Sequence, residues 1–112
     1  MWCSKYRKPL LTGPVELKLK DILYQVAKEC HSQIIELEVM PDHVHILTEV
    51  DPQFGVCKLI KYLKGRSSRL LRGLFHELRT VPSLWTNSCF IATVGGAPLQ
   101  IIKQYIKNQK YV

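Results

Sequence analysis

Apolar and polar positions change their period several times along this chain, and each change marks an element. Val15, Leu19, Ile22, Leu23, Val26, Ala27 and Cys30 recur at three- and four-residue spacing and predict an amphipathic helix starting near Thr12. Thr12 suits the N-cap, and Glu16 lies in the first turn, where the helix dipole favours an acid. Ile35, Leu37 and Val39 then alternate with Glu36 and Glu38, the spacing of a half-buried strand. Residues 43–50 alternate again, with Val44, Ile46, Thr48 and Val50 on one side and His43, His45, Leu47 and Glu49 on the other. Met40-Pro41-Asp42-His43 joins the two strands. A loop centred on Pro41 and Asp42 sets Val39 opposite Val44 and Leu37 opposite Ile46, so four aliphatics share one face. The other face then carries Met40 beside His43 and Glu38 beside His45.

The flanking stretches complete the outline. Residues 1–7 are β-compatible and end at Lys8-Pro9. Residues 54–74 read as a helix around Val56, Ile60, Leu63, Ser67, Leu70, Leu71 and Leu74, bent or broken near Gly65. Thr80, Val81 and Pro82 lead to a strand over 85–93, Gly95-Gly96-Ala97-Pro98 breaks the chain, and a last helix over 98–111 carries Ile101, Ile102, Tyr105 and Ile106. The order β, α, β, β, α, β, α predicts the α+β class. Its first six elements make a ferredoxin-like βαββαβ antiparallel sheet with helices on one face, and the C-terminal helix is left to pack elsewhere within one domain spanning 1–112.

Composition narrows the class of protein. A chain of 112 residues, 46% apolar and 22% charged, can bury a core of its own and is neither disordered nor fibrous in character. No apolar run approaches the ~20 residues of a membrane span. The charges in the opening MWCSKYRK come too early for a signal peptide, so the expectation is a cytoplasmic protein with no membrane partner. Cys3, Cys30, Cys57 and Cys89 stand 27, 27 and 32 residues apart without a CxxC pair, which indicates neither a zinc ribbon nor a redox motif.

Charge is distributed unevenly. Residues 1–51 hold six bases and eight acids, whereas residues 52–112 hold ten bases and one acid, Glu77, so the net +7 divides into −2 and +9. Lys58, Lys61, Lys64, Arg66, Arg69 and Arg72 form an acid-free run on the outer face of the 54–74 helix. Such a run suits the phosphates of a nucleic acid better than it suits a merely solvated face. The acids Glu36, Glu38, Asp42 and Glu49 gather instead around the hairpin.

Two groups carry candidate chemistry. His43 and His45, two apart on a strand, point the same way with Cα atoms ~6.5 Å apart, a span that one divalent cation can bridge. Glu38, across the hairpin from His45, can orient that ring as a hydrogen-bond acceptor. By itself such a pair equally suits solvated or core histidines. Tyr105 and Gln109, four apart, share a helix face with Cβ atoms about 5–6 Å apart. A tyrosine hydroxyl can serve as a nucleophile, and an amide oxygen beside it can complete a hard-cation site. A tyrosine on an amphipathic helix is more commonly a core residue, and only the combination with the histidine strand and the basic helix favours chemistry.

The stretch Val39-Met40-Pro41-Asp42-His43-Val44-His45-Ile46-Leu47 resembles the histidine motif of the single-tyrosine HUH transposases, small enzymes of prokaryotic insertion sequences that move single-stranded DNA. Lys5-Tyr6-Arg7-Lys8-Pro9, Leu63-Lys64-Gly65-Arg66-Ser67-Ser68-Arg69, Leu84-Trp85, Thr93-Val94-Gly95-Gly96 and Tyr105-Ile106-Lys107-Asn108-Gln109 are similar to further segments of that family, in the same order. The resemblance implies that His43, His45 and Gln109 ligate Mg²⁺ or Mn²⁺, that Tyr105 is the catalytic nucleophile, and that the protein works as a homodimer. It implies cleavage and rejoining of single-stranded DNA with hairpin ends through a 5′-phosphotyrosine and a free 3′-OH. Family members begin their first strand several residues earlier, so either the start codon is misassigned or the strand is clipped here. Two other readings share the residues: a catalytically inactive or domesticated hairpin-binding protein on the same fold, and a zinc-binding domain using His43, His45 and Cys89 or His31.

Overall fold

A computed structural model of the chain describes residues 1–92. The helix expected over 98–111, with Tyr105 and Gln109, and the Gly95-Gly96 break lie outside the described residues.

The first helix, α1, spans Pro14–Glu29, and its buried stripe is the expected one: Val15, Leu19, Ile22, Leu23, Val26 and Ala27, continued by buried Cys30. The N-cap is Gly13 rather than Thr12. Gly13 turns into the helix at φ 58°, a conformation glycine adopts without a Cβ penalty, and Pro14 supplies the preset φ of the first helical position. Thr12 contributes only its carbonyl, to the Val15 amide at 3.2 Å.

Strands β2 (Gln33–Met40) and β3 (His43–Glu49) form the hairpin in the expected register: Val39 opposite Val44, Leu37 opposite Ile46, Glu38 opposite His45 and Met40 opposite His43. The far end differs. The pairing steps from Ile34 opposite Thr48 to Glu36 opposite Leu47, which leaves Ile35 unpaired as a bulge. Ile34, and not Ile35, therefore packs against the core. Two adjacent isoleucines satisfy either alternation, so only the pairing decides between them.

Strand β1 is short. It covers Trp2–Cys3, with Trp2 opposite Val44 and Cys3 opposite His43, giving the antiparallel order β1-β3-β2. The strand expected over residues 1–7 stops because Ser4, fully buried, turns the chain: its Oγ donates to the Lys8 carbonyl at 2.7 Å, closing a 3-10 helix over Lys5–Arg7. Beyond β1 the chain returns antiparallel along its free edge. The Lys5 amide donates to Leu84 O, Thr86 N–H to Cys3 O and Phe90 N–H to Met1 O. This is where a fourth ferredoxin-like strand would lie, yet the described part of 85–93 forms only an isolated bridge, Ser4 with Trp85. A two-residue neighbour offers little ladder to extend, and Lys64 Nζ takes the Thr86 and Ser88 carbonyls at 2.6 and 3.2 Å.

The second helix, α2, spans Val56–Leu74 and runs unbroken through Gly65, so the break expected there does not occur. One interior glycine costs about 1 kcal/mol. Burying Leu59, Leu63 and Leu71 outweighs that at roughly 2 kcal/mol each. The buried stripe is Leu59, Leu63, Ser67 and Leu71, rotated from the expected one, so that Val56, Leu70 and Leu74 are exposed. Ser67 belongs to that stripe because Trp85 Nε1 donates to its Oγ at 3.0 Å in the interior. The two helices and the Leu37, Val39 and Val44 face of the sheet share one core, which also takes in Leu78 and Leu84. Among the described residues no helix is long and apolar enough to cross a membrane.

Candidate functional site

Strand alternation puts His43 and His45 on the sheet face away from that core, with Val44 between them fully buried as the anchor. Their ring centroids lie 5.0 Å apart with the planes at 80°. Met40 and Leu47, on the same face, are also buried, so the pair borders an apolar surround.

The turn before His43 is held from the N-terminal segment. Ser4 N–H donates to Asp42 O at 2.9 Å, and Leu11 N–H donates to Pro41 O at 2.9 Å. The Asp42 side chain then bridges two cations or donors: Oδ1 lies 2.5 Å from His43 Nδ1, and Oδ2 accepts from Arg7 Nε at 3.1 Å. Burial alone would raise the Asp42 carboxyl, but the hydrogen bonds from His43 and Arg7 outweigh it and hold the group below its ordinary value. An ionised carboxylate only accepts, so Nδ1 of His43 donates in this contact and Nε2 is the ring nitrogen turned away from Asp42. Burial pushes the His45 imidazole down, and the positive charges of His43 and the N-terminus add to the effect. Burial thus favours the neutral, ligand-competent form of His45, while Asp42 orients the His43 ring.

Asp42 as the partner of His43 escaped the sequence reading, which assigned ring orientation to Glu38. Glu38 does lie opposite His45. The missed signal was an aspartate directly before a histidine at a tight turn. The donor set fits a divalent cation as two imidazole ligands, one braced by a carboxylate. Among the described residues no group of three or more His, Cys, Asp or Glu side chains could hold a metal by itself. Gln109, the third ligand implied by resemblance, lies outside them, as does Tyr105. His31 and His76 are exposed.

The basic face of α2 divides by what its side chains reach. Lys58 Nζ sits 4.6 Å from the centre of the Phe54 ring. Arg66 pairs with Glu29 of α1. Lys64 is spent on the Thr86 and Ser88 carbonyls, and burial lowers its pKa. Arg72 donates to Val81 O at 3.1 Å and Pro82 O at 3.2 Å. Lys61 and Arg69 are exposed and make no ion pair among the described residues.

These side chains border a trough. One hollow of about 510 Å³ is lined by Gly65, Ser68, Arg69, Arg72, Gly73 and Arg79. A second of about 420 Å³ includes Cys57, Lys61, Lys64 and Trp85, and shares Gly65 and Ser68 with the first. Small residues keep the floor low between flanking cations. Arg79 joins from the 3-10 helix His76–Thr80, its Nε donating to Arg72 O at 2.8 Å. It was missed because it lies outside the charge run, and only the fold of that short helix brings it back.

Comparison with known proteins places the chain among its relatives. The family model described as Transposase IS200 like matches residues 1–109. The ISDra2 transposase TnpA of Deinococcus radiodurans is 38% identical over 112 aligned positions, covering 97% of this chain and 80% of the relative. The transposase for insertion sequence element IS200 of Salmonella typhimurium is 30% identical, with coverage of 97% and 73%. A crystal structure assigned to a transposase from Deinococcus radiodurans superposes with a TM-score of 0.79 at 38% identity, covering 96% of this chain and 85% of that one.

Proposed function

This chain belongs to the family of IS200-like transposases, enzymes acting on DNA, and on that footing we propose that it cuts and rejoins single-stranded DNA at the hairpin-bearing ends of an insertion sequence. The observation that carries the reading is the His43–His45 pair, with one ring braced by Asp42 and the other kept neutral by burial.

Tyr105 is the nucleophile in this reading. Its phenol oxygen forms a bond to the scissile phosphorus, the bond to the 3′ oxygen breaks, and a free 3′-OH leaves. The phosphate remains on the tyrosine as a 5′-phosphotyrosine, so its bond energy is kept for rejoining by a new 3′-OH. A phenol with a reference pKa of ~10 must lose its proton as it attacks, and the departing 3′ oxygen must gain one. Mg²⁺ or Mn²⁺ held by His43, His45 and Gln109 would polarise the phosphate and offset the charge that builds during attack. Asp42 fixes the His43 ring, and Arg7 steadies Asp42.

The trough beside α2 suits the backbone of a folded DNA hairpin, with Lys61, Arg69 and Arg72 at its walls. The same reading takes the protein as a homodimer in which one subunit's tyrosine helix completes the partner's histidine site.

Labelled single strands from the flanks of the coding region, incubated with Mg²⁺ or EDTA and run on a denaturing gel, test the proposal. Metal-dependent cutting with a protein-linked product is the expected result. A strand shifted on a native gel yet never cut would instead mark a hairpin-binding protein without catalysis.

A further inference from the structure

The turn after β1 shows an expense that packing does not explain. Tyr6 and Arg7 are consecutive non-glycine residues in the left-handed region, at φ 58° and 51°. Left-handed pairs of this kind persist only where their surroundings impose them. Here they do: Arg7 N–H donates to Ser4 O at 2.9 Å, Ser4 Oγ to Lys8 O at 2.7 Å and Lys5 N–H to Leu84 O at 2.8 Å. The effect of this fastened turn is to hold the Tyr6 ring out in solvent, 68% exposed, so the strain is not repaid by burial.

The charged side chains of the turn itself are all cationic, and the acid they meet is Asp42, on Arg7. Lys5 Nζ lies 5.5 Å from the centre of the Tyr6 ring, Arg7 and Lys8 follow, and no acid precedes Glu16 in the sequence. The same turn reaches the histidine pair, because Arg7 donates to Asp42 and Asp42 contacts His43. An exposed aromatic face among cations matches an unpaired base flanked by phosphates, since every base has a π face and duplex bases are already stacked.

We propose that Tyr6, on the Lys5–Arg7 turn, is a stacking platform that holds one unpaired base of single-stranded nucleic acid beside the histidine site. This deepens the function proposed above and rests on it for the location of the reacting strand.

Binding of the full-length protein to fluorescein-labelled oligo(dT) of about 20 nucleotides, read by anisotropy beside the same strand paired with oligo(dA), tests the platform. Tyr6→Phe should bind the single strand within about twofold of the unaltered protein, and Tyr6→Ala about tenfold more weakly, with duplex binding unchanged in both. Tyr6→Gly removes both ring and backbone strain, so its melting temperature should rise while its single-strand affinity falls. That opposition separates lost stacking from damaged folding. Absence of oligo(dT) binding by the unaltered protein, unchanged binding by Tyr6→Ala and Tyr6→Gly, equal losses on single strand and duplex, or a Tyr6→Phe loss as large as that of Tyr6→Ala would each overturn the proposal. Covalent cutting is read separately: its absence strikes the proposed function, whereas cutting with no Tyr6 effect on oligo(dT) strikes the platform alone.

Discussion

Asp42 and His43, adjacent in sequence, are joined side chain to side chain at 2.5 Å, and the carboxylate's other oxygen holds Arg7. The contact fixes which nitrogen of His43 faces the carboxylate, and it does so from the turn rather than from the facing strand. Asp42→Ala should therefore weaken Mn²⁺ binding about 10- to 100-fold, the usual effect of losing a ligand's hydrogen-bonded carboxylate. Arg7→Ala should cost less. Calorimetric titration with Mn²⁺ reads both, and an Asp42→Ala protein with unaltered affinity would contradict the role. The fold should survive, because the turn is held through the Asp42 and Pro41 carbonyls.

The basic residues of α2 should separate into two classes. Lys61→Ala and Arg69→Ala are expected to weaken hairpin DNA binding and to reduce the slope of log affinity against log salt by about 1 each, with unchanged stability. Lys64→Ala and Arg72→Ala should cost about 1.5–3 kcal/mol in urea unfolding, because each holds loop carbonyls through charged hydrogen bonds. Cys57 lines the same trough and is exposed, so bound hairpin DNA should protect it from maleimide. Equal stability losses for all four variants would refute the division.

Ser67 is the polar member of an otherwise aliphatic stripe, and its hydroxyl accepts from Trp85 Nε1. Ser67→Ala leaves that indole N–H buried without its partner, at an expected cost of about 1–3 kcal/mol by urea denaturation. Leu63→Ala, at the next position up the stripe, should cost about 2–5 kcal/mol through its cavity. A Ser67→Ala protein as stable as its parent would mean that water or another acceptor serves the indole.

Hairpin register was legible in the sequence because Pro41-Asp42 fixes the turn and the aliphatics allow one alternation beside it. The α1 stripe was legible for the same reason of period. Elsewhere local pattern underdetermined the result. Ile34 and Ile35 are interchangeable until the bulge chooses between them, and Gly65 signals a break only if the burial of Leu63 and Ser67 around it is ignored. The short β1 depends on Ser4 finding the Lys8 and Asp42 carbonyls, which requires the tertiary fold. Charge counting located the basic helix, yet which cations stay free was decided by carbonyls of the 81–88 segment. At the site, the paired histidines were readable from their spacing, whereas Asp42 and Arg79 act through contacts that no period announces.

Cys30 offers a pH test of the core. Burial raises its thiol pKa above the ordinary 9.0, with Glu29 adding and Arg66 and Lys58 opposing. The unfolded chain ionises this thiol first, so the folded state binds more protons and stability should fall as pH rises past about 9.0. Cys30→Ala should flatten that part of the profile. At neutral pH, alkylation followed by mass spectrometry should find Cys57 modified first and Cys30 last. Early modification of Cys30 would contradict its burial.

The central claim is that Tyr105 becomes covalently joined to DNA. Peptide mapping by mass spectrometry of the adduct formed with a flanking single strand and Mg²⁺ tests it most directly. The expected result is a nucleotide carried through a 5′-phosphate on Tyr105, present with Mg²⁺, absent with EDTA and absent in Tyr105→Phe. An adduct on Tyr6, Tyr24 or Tyr62, or one that persists in Tyr105→Phe, would contradict the account.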